Sequence, residues 1–346
     1  MRIAHVVWSL TTGGIETMLV DIVNEQVKFC EVCIFVINNH YNKELLQTID
    51  PKVNVILFNR KPGSKNVIPL VKLNLSLLRY RPDVIHCHLA NLSRVIWLPF
   101  KKVLTIHNTH SNPEFWGSFN KLFCISKAVK NYAATQGFPN GVVVYNGIHT
   151  DVIPKRTLPF PDIRKTCKCV CVGRLHPMKG QDVLIEAVNI LVNKRKKTGF
   201  LLDLIGDGES KSELQALVCK YGLELNIHFL GKQQREEFYP KLKDYDLFVL
   251  PSVSEGFGLT LAEACAAKIP VITCDLEGPM EVIANGRYGC SFEAGNANSL
   301  ADALINYLEQ GTNVEQVEAA YNYVRSHFDV RTTASEYIKQ YEQVIQ

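Results

Sequence analysis

Short apolar runs rich in β-branched residues alternate with segments of helical periodicity along the whole chain. This alternation is typical of parallel sheets wound by helices, because each strand returns to the same edge of its sheet through a crossover. The predicted strands of the first half span residues 3–8, 32–37, 53–58, 84–88, 103–106, 122–125 and 142–145. Those of the second half span residues 167–172, 201–205, 227–230, 247–250, 271–273 and 289–292.

The helices predicted between these strands carry apolar residues that repeat every three or four positions. They span residues 14–29, 67–80, 181–193, 211–221, 236–242, 259–267 and 299–309. A last helical stretch covers 315–346 and is predicted to break near 327–332. Residues 151–165 are rich in proline and lack periodicity, which indicates a linker. The sequence therefore predicts an α/β protein with two doubly wound parallel-sheet domains, residues 1–150 and 151–329.

Composition narrows the class of protein further. The 346 residues, 47% of them hydrophobic and 21% charged, exceed a single small module and argue against long disorder. No apolar run approaches the roughly 20 residues of a membrane span, and residues 1–10 lack the features of a signal peptide, so we expect a cytoplasmic protein. The 11 cysteines, an odd number placed mostly in apolar segments, fit a reducing compartment without a disulfide framework.

Two short groups of residues have the spacing of metal or redox motifs. Cys30 and Cys33 form one group, and His86, Cys87 and His88 form the other. Neither group has a matching second half elsewhere in the sequence, and adjacent residues on a strand point to opposite faces. We therefore expect no metal site.

Positive charge is concentrated in the first half of the chain. Residues 1–150 carry 16 basic against 8 acidic residues (+8), and the remainder carries 22 against 26 (−4), which together give the net charge of +4. Such a basic half attracts anionic partners, namely a membrane surface, phosphorylated substrates or nucleic acid, although a merely solvated face explains it equally well. Because no nucleic-acid-binding motif is present, we expect no nucleic-acid partner.

A glycine pair, Gly13-Gly14, lies in the loop after the first predicted strand, where the next helix begins. Glycines at a helix N-terminus let backbone amides approach an anion. The pair does not form a GxGxxG motif and no P-loop lysine follows, so an ordinary tight turn explains it as well.

A second glycine-bounded loop follows the strand at 167–172 and contains Arg174 and Lys179. Because this loop lies at the carboxyl end of a parallel strand, its two cations are placed to bind a diphosphate. Surface solvation is the alternative.

The segment 251–264 follows an apolar strand and opens a helix at about Gly258. The amides of this helix N-terminus provide a second place for a phosphate. Glu263 lies on the same helix among apolar neighbours, so its carboxylate must face a polar group, and a ribose diol fits that role.

Together these elements resemble the retaining glycosyltransferases of family 4. The resemblance extends from Gly13 to about Gly289 and rests on the following motifs, in the family's order: Asn146-Gly147-Ile148, Gly173-Arg174, Lys179-Gly180, Gly206-Asp207-Gly208, and Glu255 and Glu263 with seven residues between them. It implies a GT-B architecture of two Rossmann-like domains with a cleft between them, in which the second domain binds most of the donor nucleotide. Residues 1–150 would bind the acceptor, residues 151–329 would bind the nucleotide-sugar, and a helix at about 330–346 would cross back onto the first domain.

The resemblance also implies roles for single residues. Arg174 and Lys179 would stabilise the departing diphosphate, Glu255 would lie near the donor sugar, and Glu263 would hold the ribose. His107, after the strand at 103–106, would contact the donor sugar, while a structural role is the alternative. The other residues implied in donor binding are Gly13, Gly14, Gly206, Gly231, Lys232, Gly258, Leu259 and Thr260.

Some positions depart from the family pattern or make a weaker claim. Lys268 stands where a glycine usually ends the helix that carries Glu263, and a non-glycine left-handed cap costs about 1 kcal/mol. His149 and Glu277 also replace the usual residues. Because the altered segment at Glu277 reshapes the expected sugar pocket, the family's sugar preferences do not transfer directly. Ser126 matches a family serine, although its functional claim is weak.

The implied activity is metal-independent transfer of a hexose or N-acetylhexosamine, with retention, to a hydroxyl of a glycan or lipid-linked acceptor in polysaccharide or glycolipid assembly. UDP is the expected nucleotide, and no cofactor is expected. Another GT-B activity such as a nucleotide-sugar epimerase, a nicotinamide-dependent oxidoreductase and a non-catalytic binding module are the alternatives. The basic amphipathic segment 67–81 fits contact with the inner face of a membrane, but core packing explains it better.

Overall fold

Strands and helices alternate along the chain as the sequence pattern predicts. The computed structural model of the protein describes residues 1–11 and 13–346. The first-half strands are β1 (Arg2–Val7), β2 (Glu31–Asn38), β3 (Asn54–Arg60), β4 (Val84–Cys87), β5 (Lys102–Ile106), β6 (Lys121–Cys124) and β7 (Val142–Val143). The second-half strands are β8 (Cys167–Val172), β9 (Phe200–Ile205), β10 (Ile227–Gly231), β11 (Leu247–Leu250), β12 (Val271–Cys274) and β13 (Cys290–Phe292).

Helices lie between most consecutive strands, and three helices follow the last strand. The first-half helices are α1 (Gly14–Gln26), α2 (Lys43–Gln47), α3 (Ile68–Tyr80) and α4 (Lys127–Thr135). The others are α5 (Gln181–Asn189), α6 (Lys211–Tyr221), α7 (Arg235–Leu242), α8 (Leu259–Ala266), α9 (Glu277–Val282), α10 (Ala297–Gln310), α11 (Val314–His327) and α12 (Val330–Ile345). The predicted helix at 181–193 ends earlier, because a π-helical turn over Ile190–Lys194 replaces its last residues.

The chain divides into two compact units. The first contains Met1–Ile148 together with Phe328–Gln346, and the second contains His149–His327. The carboxyl-terminal helix α12 packs against α1 in the first unit, and its Tyr337 and Tyr341 are fully buried there.

The first unit is a parallel sheet with strand order β3-β2-β1-β4-β5-β6-β7. The order reverses direction between β1 and β4, and such a switch point is where open α/β sheets bind ligands, outside the carboxyl ends of their strands. In this unit the loops after β1, β4 and β5 therefore leave the sheet at or beside the ligand-binding edge.

The second unit repeats the arrangement with strand order β10-β9-β8-β11-β12-β13, again with parallel pairing. Its switch point lies between β8 and β11, so the loops that follow these two strands are neighbours. The predicted α/β class with two doubly wound parallel sheets is confirmed.

Lys268 adopts the left-handed conformation expected at the end of α8, with φ of +57°. Its ammonium pairs with Glu318 and lies 4.5 Å from the centroid of the Tyr321 ring. These two contacts to α11 offset part of the conformational cost of a non-glycine residue at this cap.

Candidate active site

The loop after β8 and the loop after β11 are joined backbone to backbone. The amides of Val253 and Ser254 donate to the carbonyl oxygen of Met178, over 3.0 and 3.2 Å. Gly180 adopts φ of +64°, and a Cβ at this position would collide with the carbonyl oxygen of Pro251. Only glycine therefore allows the two loops to approach this closely.

This approach brings Lys179 and Glu255 together. The Lys179 Nζ lies 2.6 Å from Oε2 of Glu255, although the two residues are 76 positions apart in the sequence. The carboxylate also accepts a hydrogen bond from its neighbouring Gly256 amide (3.2 Å) and lies 3.5 Å from the hydroxyl of the buried Ser252. The Lys179 side chain is one-third exposed, so a ligand can reach it without displacing the pair.

Arg174 lies on the same loop and is exposed. Its backbone is held by Gln181, whose Nε2 donates to the Arg174 carbonyl oxygen over 3.0 Å. Among residues 1–11 and 13–346, none hydrogen-bonds or pairs with its guanidinium. The guanidinium is thus available to an anion on the ligand-binding edge of the second sheet.

Two glycines support the loop that carries Arg174. Gly206 follows β9 with φ of +148°, and its amide donates to the carbonyl oxygen of Gly231 over 2.8 Å. A Cβ at Gly206 would collide with the carbonyl oxygen of Gly173. Gly206 and Gly231 therefore shape the backbone beside Arg174. Lys232, the residue after Gly231, is exposed.

The amino terminus of α8 lies beyond the Lys179–Glu255 pair in the same loop. Gly258 adopts φ of +100° immediately before the helix. The amides of Leu259 and Thr260 donate to no acceptor in the described part of the chain, and both residues are half-buried. Free amides at a helix N-terminus carry partial positive charge, so this end of α8 is suited to a phosphate oxygen.

Glu263 is 4% exposed and faces two polar groups of α7. The hydroxyl of Tyr239 donates to its Oε1 over 2.7 Å, and the guanidinium of Arg235 lies 3.6 Å from the same oxygen. The sequence predicted that Glu263 faces a polar group but missed both partners. A capping-box pattern at Gln234 marks the start of α7, but nothing local indicates that this helix lies against α8.

In the first unit the glycine pair Gly13-Gly14 caps α1. Neither glycine requires a left-handed backbone, and Gly13 has φ of −96°. A Cβ at Gly13 would collide with the carboxylate of Glu16, which also accepts a hydrogen bond from Thr11. Glycine at position 13 thus makes room for an acidic side chain in the first turn of α1, a contact that the sequence analysis did not predict.

A row of histidines crosses the first sheet at its switch point. His107 directly follows β5, and its Nε2 lies 3.3 Å from Nδ1 of His88. The Nε2 of His88 in turn lies 3.3 Å from Nδ1 of His5. His86 stacks on His88 with ring centroids 4.4 Å apart. The sequence offers no second half of a metal motif for His86 and His88, and the fold places His5 and His107 beside them instead. His86 lies on β4 and His88 directly follows this strand, two positions on and so on the same face, and the strand register sets His5 opposite His86.

Burial keeps these histidines uncharged. It lowers the pKa of His5 and of His107 to about 4, and it lowers that of His86 and His88 well below the usual value, with neighbouring histidines adding to the effect on both. At neutral pH each ring therefore carries one proton and offers one donor and one acceptor.

This burial predicts a pH-dependent loss of stability in the first unit. A histidine in the unfolded chain titrates at about 6.5, so between pH 6.5 and 4 the unfolded chain binds protons that the folded chain does not. The free energy of unfolding should fall as the pH falls through this window, by about 1.4 kcal/mol per pH unit for each such histidine. Urea unfolding at pH 7, 6 and 5 measures the slope.

His5→Phe should flatten this slope by removing one buried histidine, whereas His110→Gln should leave it unchanged, because His110 is exposed. Equal slopes in all three proteins would contradict the assignment.

Ser126, a weak functional candidate, caps a helix. Its hydroxyl accepts a hydrogen bond from the amide of Val129 at the start of α4, over 3.1 Å. A buried serine with this contact stabilises the helix terminus and needs no substrate to explain its identity.

Two protein families match the two units of the chain. The family described as Glycosyltransferase Family 4 matches residues 12–152, and the family described as Glycosyl transferases group 1 matches residues 162–327. Together the two matches cover most of the sequence and agree with the resemblance inferred from its motifs.

Individual relatives give the same result. An uncharacterised glycosyltransferase of Methanocaldococcus jannaschii is 25% identical over 316 residues, which cover 86% of this chain and 85% of the relative. The phosphatidyl-myo-inositol mannosyltransferase of Mycobacterium leprae is 29% identical over 209 residues, or 59% of this chain and 54% of the relative. The crystal structure of Anabaena HepE with UDP superposes with a TM-score of 0.83 at 20% identity, covering 99% of this chain and 100% of HepE. The predicted GT-B fold is thereby confirmed.

Proposed function

Because this chain belongs to the family 4 glycosyltransferases, we propose that it transfers a hexose or N-acetylhexosamine from UDP to a hydroxyl of a glycan or lipid-linked acceptor, with retention and without a metal ion. The family and the transferase activity are the premises. The observation that carries the proposal is the grouping of Arg174, Lys179 and the free amides of α8 at one switch point.

Breaking the bond between sugar and nucleotide leaves negative charge on the diphosphate. Fixed cations and helix-terminal amides stabilise that charge without reorganising, which is often the largest contribution to catalysis. Arg174 offers a planar fork and Lys179 a compact charge. These groups supply the positive charge that a divalent ion supplies in other transferases, so we propose that the reaction needs no such ion.

Retention follows from attack on the same face of the sugar. The acceptor hydroxyl oxygen forms a bond with the anomeric carbon as the bond from that carbon to the phosphate oxygen breaks. The hydroxyl proton passes to the departing phosphate oxygen, so the diphosphate serves as the base. In this proposal Glu255, held by Lys179, orients the donor sugar and forms no covalent intermediate.

UDP is the proposed nucleotide because HepE, which shares the fold, has been solved with UDP and with UDP-glucose. We expect a panel of UDP-, GDP- and ADP-sugars to raise the melting temperature only for UDP-sugars, since a ligand that binds the folded state stabilises it by mass action. Transfer measured with and without EDTA tests the metal. Stabilisation by GDP-sugars alone would contradict the choice of nucleotide, and loss of turnover in EDTA would contradict metal independence.

A nucleotide-sugar epimerase is the second candidate activity on this fold. An epimerase would convert the donor sugar with no acceptor present, whereas a transferase releases UDP in proportion to glycosylated product. Product analysis with and without a glycan acceptor separates the two activities.

The outward face of α3 supports an acceptor that is bound to a membrane. Leu73 and Leu77 are buried, which confirms that this helix packs on its sheet. The opposite face nevertheless exposes an apolar stripe with the spacing of one helix face: Ile68, Val71, Leu75 and Leu78 are 41 to 59% exposed. Within the described residues, no helix has the length and hydropathy needed to cross a bilayer.

The basic residues around this stripe favour an anionic bilayer as its partner. Lys65, Lys72 and Arg79 are exposed beside it, and the half of the chain that contains it carries the excess positive charge. An apolar stripe flanked by basic residues binds an anionic bilayer through burial and electrostatic attraction together. The mannosyltransferase relative is named for a phosphatidylinositol acceptor, which agrees with a lipid-linked substrate.

Vesicle binding tests this face. Val71→Ser with Leu75→Ser should release the protein from phosphatidylglycerol vesicles in a sedimentation assay, since the stripe supplies the buried apolar area. Leu225→Ser is the matched control, because Leu225 is 87% exposed in the second unit and should leave binding unchanged. Equal binding by all three proteins, or equal binding to neutral vesicles, would contradict the proposal.

A further inference from the structure

The histidine row ends at a buried side-chain amide. Gln26, the last residue of α1, is fully buried, and its Nε2 donates to the hydroxyl of Tyr341 over 3.3 Å. Its Oε1 therefore faces the other way and lies 2.8 Å from Nε2 of His5. A carbonyl oxygen only accepts, so Nε2 of His5 must carry the ring proton.

This one assignment determines the protonation of every ring along the row. Nδ1 of the neutral His5 is an acceptor, so Nε2 of His88 donates to it. Nδ1 of His88 is then an acceptor, and Nε2 of His107 donates to it. Nδ1 of His107 is left with its lone pair and has no hydrogen-bond partner in the portion of the chain that the structure describes.

We infer that Gln26, His5 and His88 are positioning residues that hold His107 in the Nε2–H tautomer, so that its Nδ1 accepts a hydrogen bond from a substrate sugar hydroxyl. The inference rests on the proposed function for the identity of that ligand. It also assigns a direction: His107 accepts from the substrate and does not donate to it. The tautomer of an isolated histidine is not fixed in this way, because solvent exchanges the proton between both nitrogens.

Three of the buried histidines lie close enough together to hold a metal ion, but their nitrogen atoms already have other partners. Nitrogen atoms of His5, His86 and His88 lie within 4.8 Å of one another. Both nitrogens of His86 are taken, Nδ1 by the Tyr341 hydroxyl at 2.6 Å and Nε2 by the Thr105 hydroxyl at 2.7 Å. Both nitrogens of His88 face other histidines, and its ring stacks on His86. The polar atoms of the cluster thus satisfy one another, as a hydrogen-bonded row requires.

The tautomers can be read directly in the wild-type protein. Long-range ¹⁵N NMR correlation of histidine-labelled protein at pH 7 distinguishes the Nε2–H from the Nδ1–H form, and His107→Gln assigns the His107 signals. We expect the Nε2–H form for His5, His88 and His107. The Nδ1–H form at His107, an averaged mixture of both forms, or histidine shifts that move on addition of zinc would each overturn the inference.

Two matched variants test the connection. His88→Phe keeps a buried aromatic ring and cuts the row next to His107, and we expect His107 to lose its single tautomer. His86→Phe removes a buried histidine with equally satisfied nitrogens that lies outside the row. It should leave His107 in the Nε2–H form. An unchanged His107 signal in His88→Phe would overturn the inference.

Kinetics then separate this inference from the proposed function. His88→Phe should raise KM for the substrate that His107 contacts by about three- to tenfold, the effect of one neutral hydrogen bond, with a smaller change in KM for the other substrate. The substrate whose KM rises identifies the source of the hydroxyl. A fixed tautomer in a protein that transfers no sugar would contradict the proposed function alone, whereas KM values equal to those of wild type and His86→Phe would overturn the positioning role.

Discussion

Replacing Lys179 with alanine is expected to lower kcat/KM by about 100- to 1,000-fold, as is typical when one preorganised group that faces developing charge is removed. The lysine and Glu255 meet across 2.6 Å at the switch point of the second sheet, and the ammonium keeps donors free for a diphosphate. The substitution removes this charge and leaves Glu255 unpaired beside the site, so it weakens UDP binding and turnover together. Initial rates of UDP release and a UDP titration measure the two effects.

Three further variants give this prediction its controls. Arg174→Ala should cause a loss of similar size with an unchanged melting temperature, because the guanidinium makes no protein contact in the described residues. Glu255→Gln should lower kcat more than UDP affinity, since the amide keeps the shape but no longer anchors the lysine. Lys220→Ala removes an exposed charge on α6 and should leave both quantities at the wild-type value. Wild-type rates in both Lys179→Ala and Arg174→Ala would contradict the role of these cations.

Much of the fold could be predicted from the sequence, because apolar runs and glycines depend on local structure. Strand β8 begins and ends at the predicted residues, as do β11 and α6, and the predicted break near 327–332 lies between α11 and α12. These elements have strong periodicity and marked ends, such as Gly222 after α6. The helix predicted at 14–29 ends three residues early, since nothing in the sequence marks the frayed turn after Gln26.

Side-chain contacts between elements that are far apart in the sequence could not be predicted in this way. The pairing of Lys179 with Glu255 follows from the adjacency of β8 and β11, which the sequence pattern alone does not specify. Arg235 and Tyr239 reach from α7 to Glu263 on α8, and neither residue belongs to a motif. The alternation of His86 and His88 in the sequence indicated part of the histidine row. The other residues of the network lie on α1, β1 and α12, which are brought together by the strand order and by the packing of the last helix on the first unit.

A single methyl group at Gly206 is expected to weaken the donor site and destabilise the protein at the same time. Its Cβ would overlap the carbonyl oxygen of Gly173, and the backbone at φ of +148° is one that side chains rarely adopt. Because the Gly173 amide also donates to the carbonyl oxygen of Ile205, the two loops cannot separate without losing this bond. Gly206→Ala should lower the free energy of unfolding by about 2 to 4 kcal/mol through strain and the broken contact.

The matched control is Gly222→Ala, at the end of α6. Gly222 also has positive φ, +62°, but a Cβ there would meet no atom within 4 Å. It should therefore cost only the conformational strain of about 1 kcal/mol and leave UDP affinity unchanged. Gly206→Ala should in addition weaken UDP binding at least tenfold, because displacing Gly173 moves the backbone of Arg174. Urea unfolding and UDP titration of the two alanine variants measure both quantities. Equal effects of the two substitutions would mean that positive φ alone, and not the contact between the β8 and β9 loops, explains the glycine at position 206.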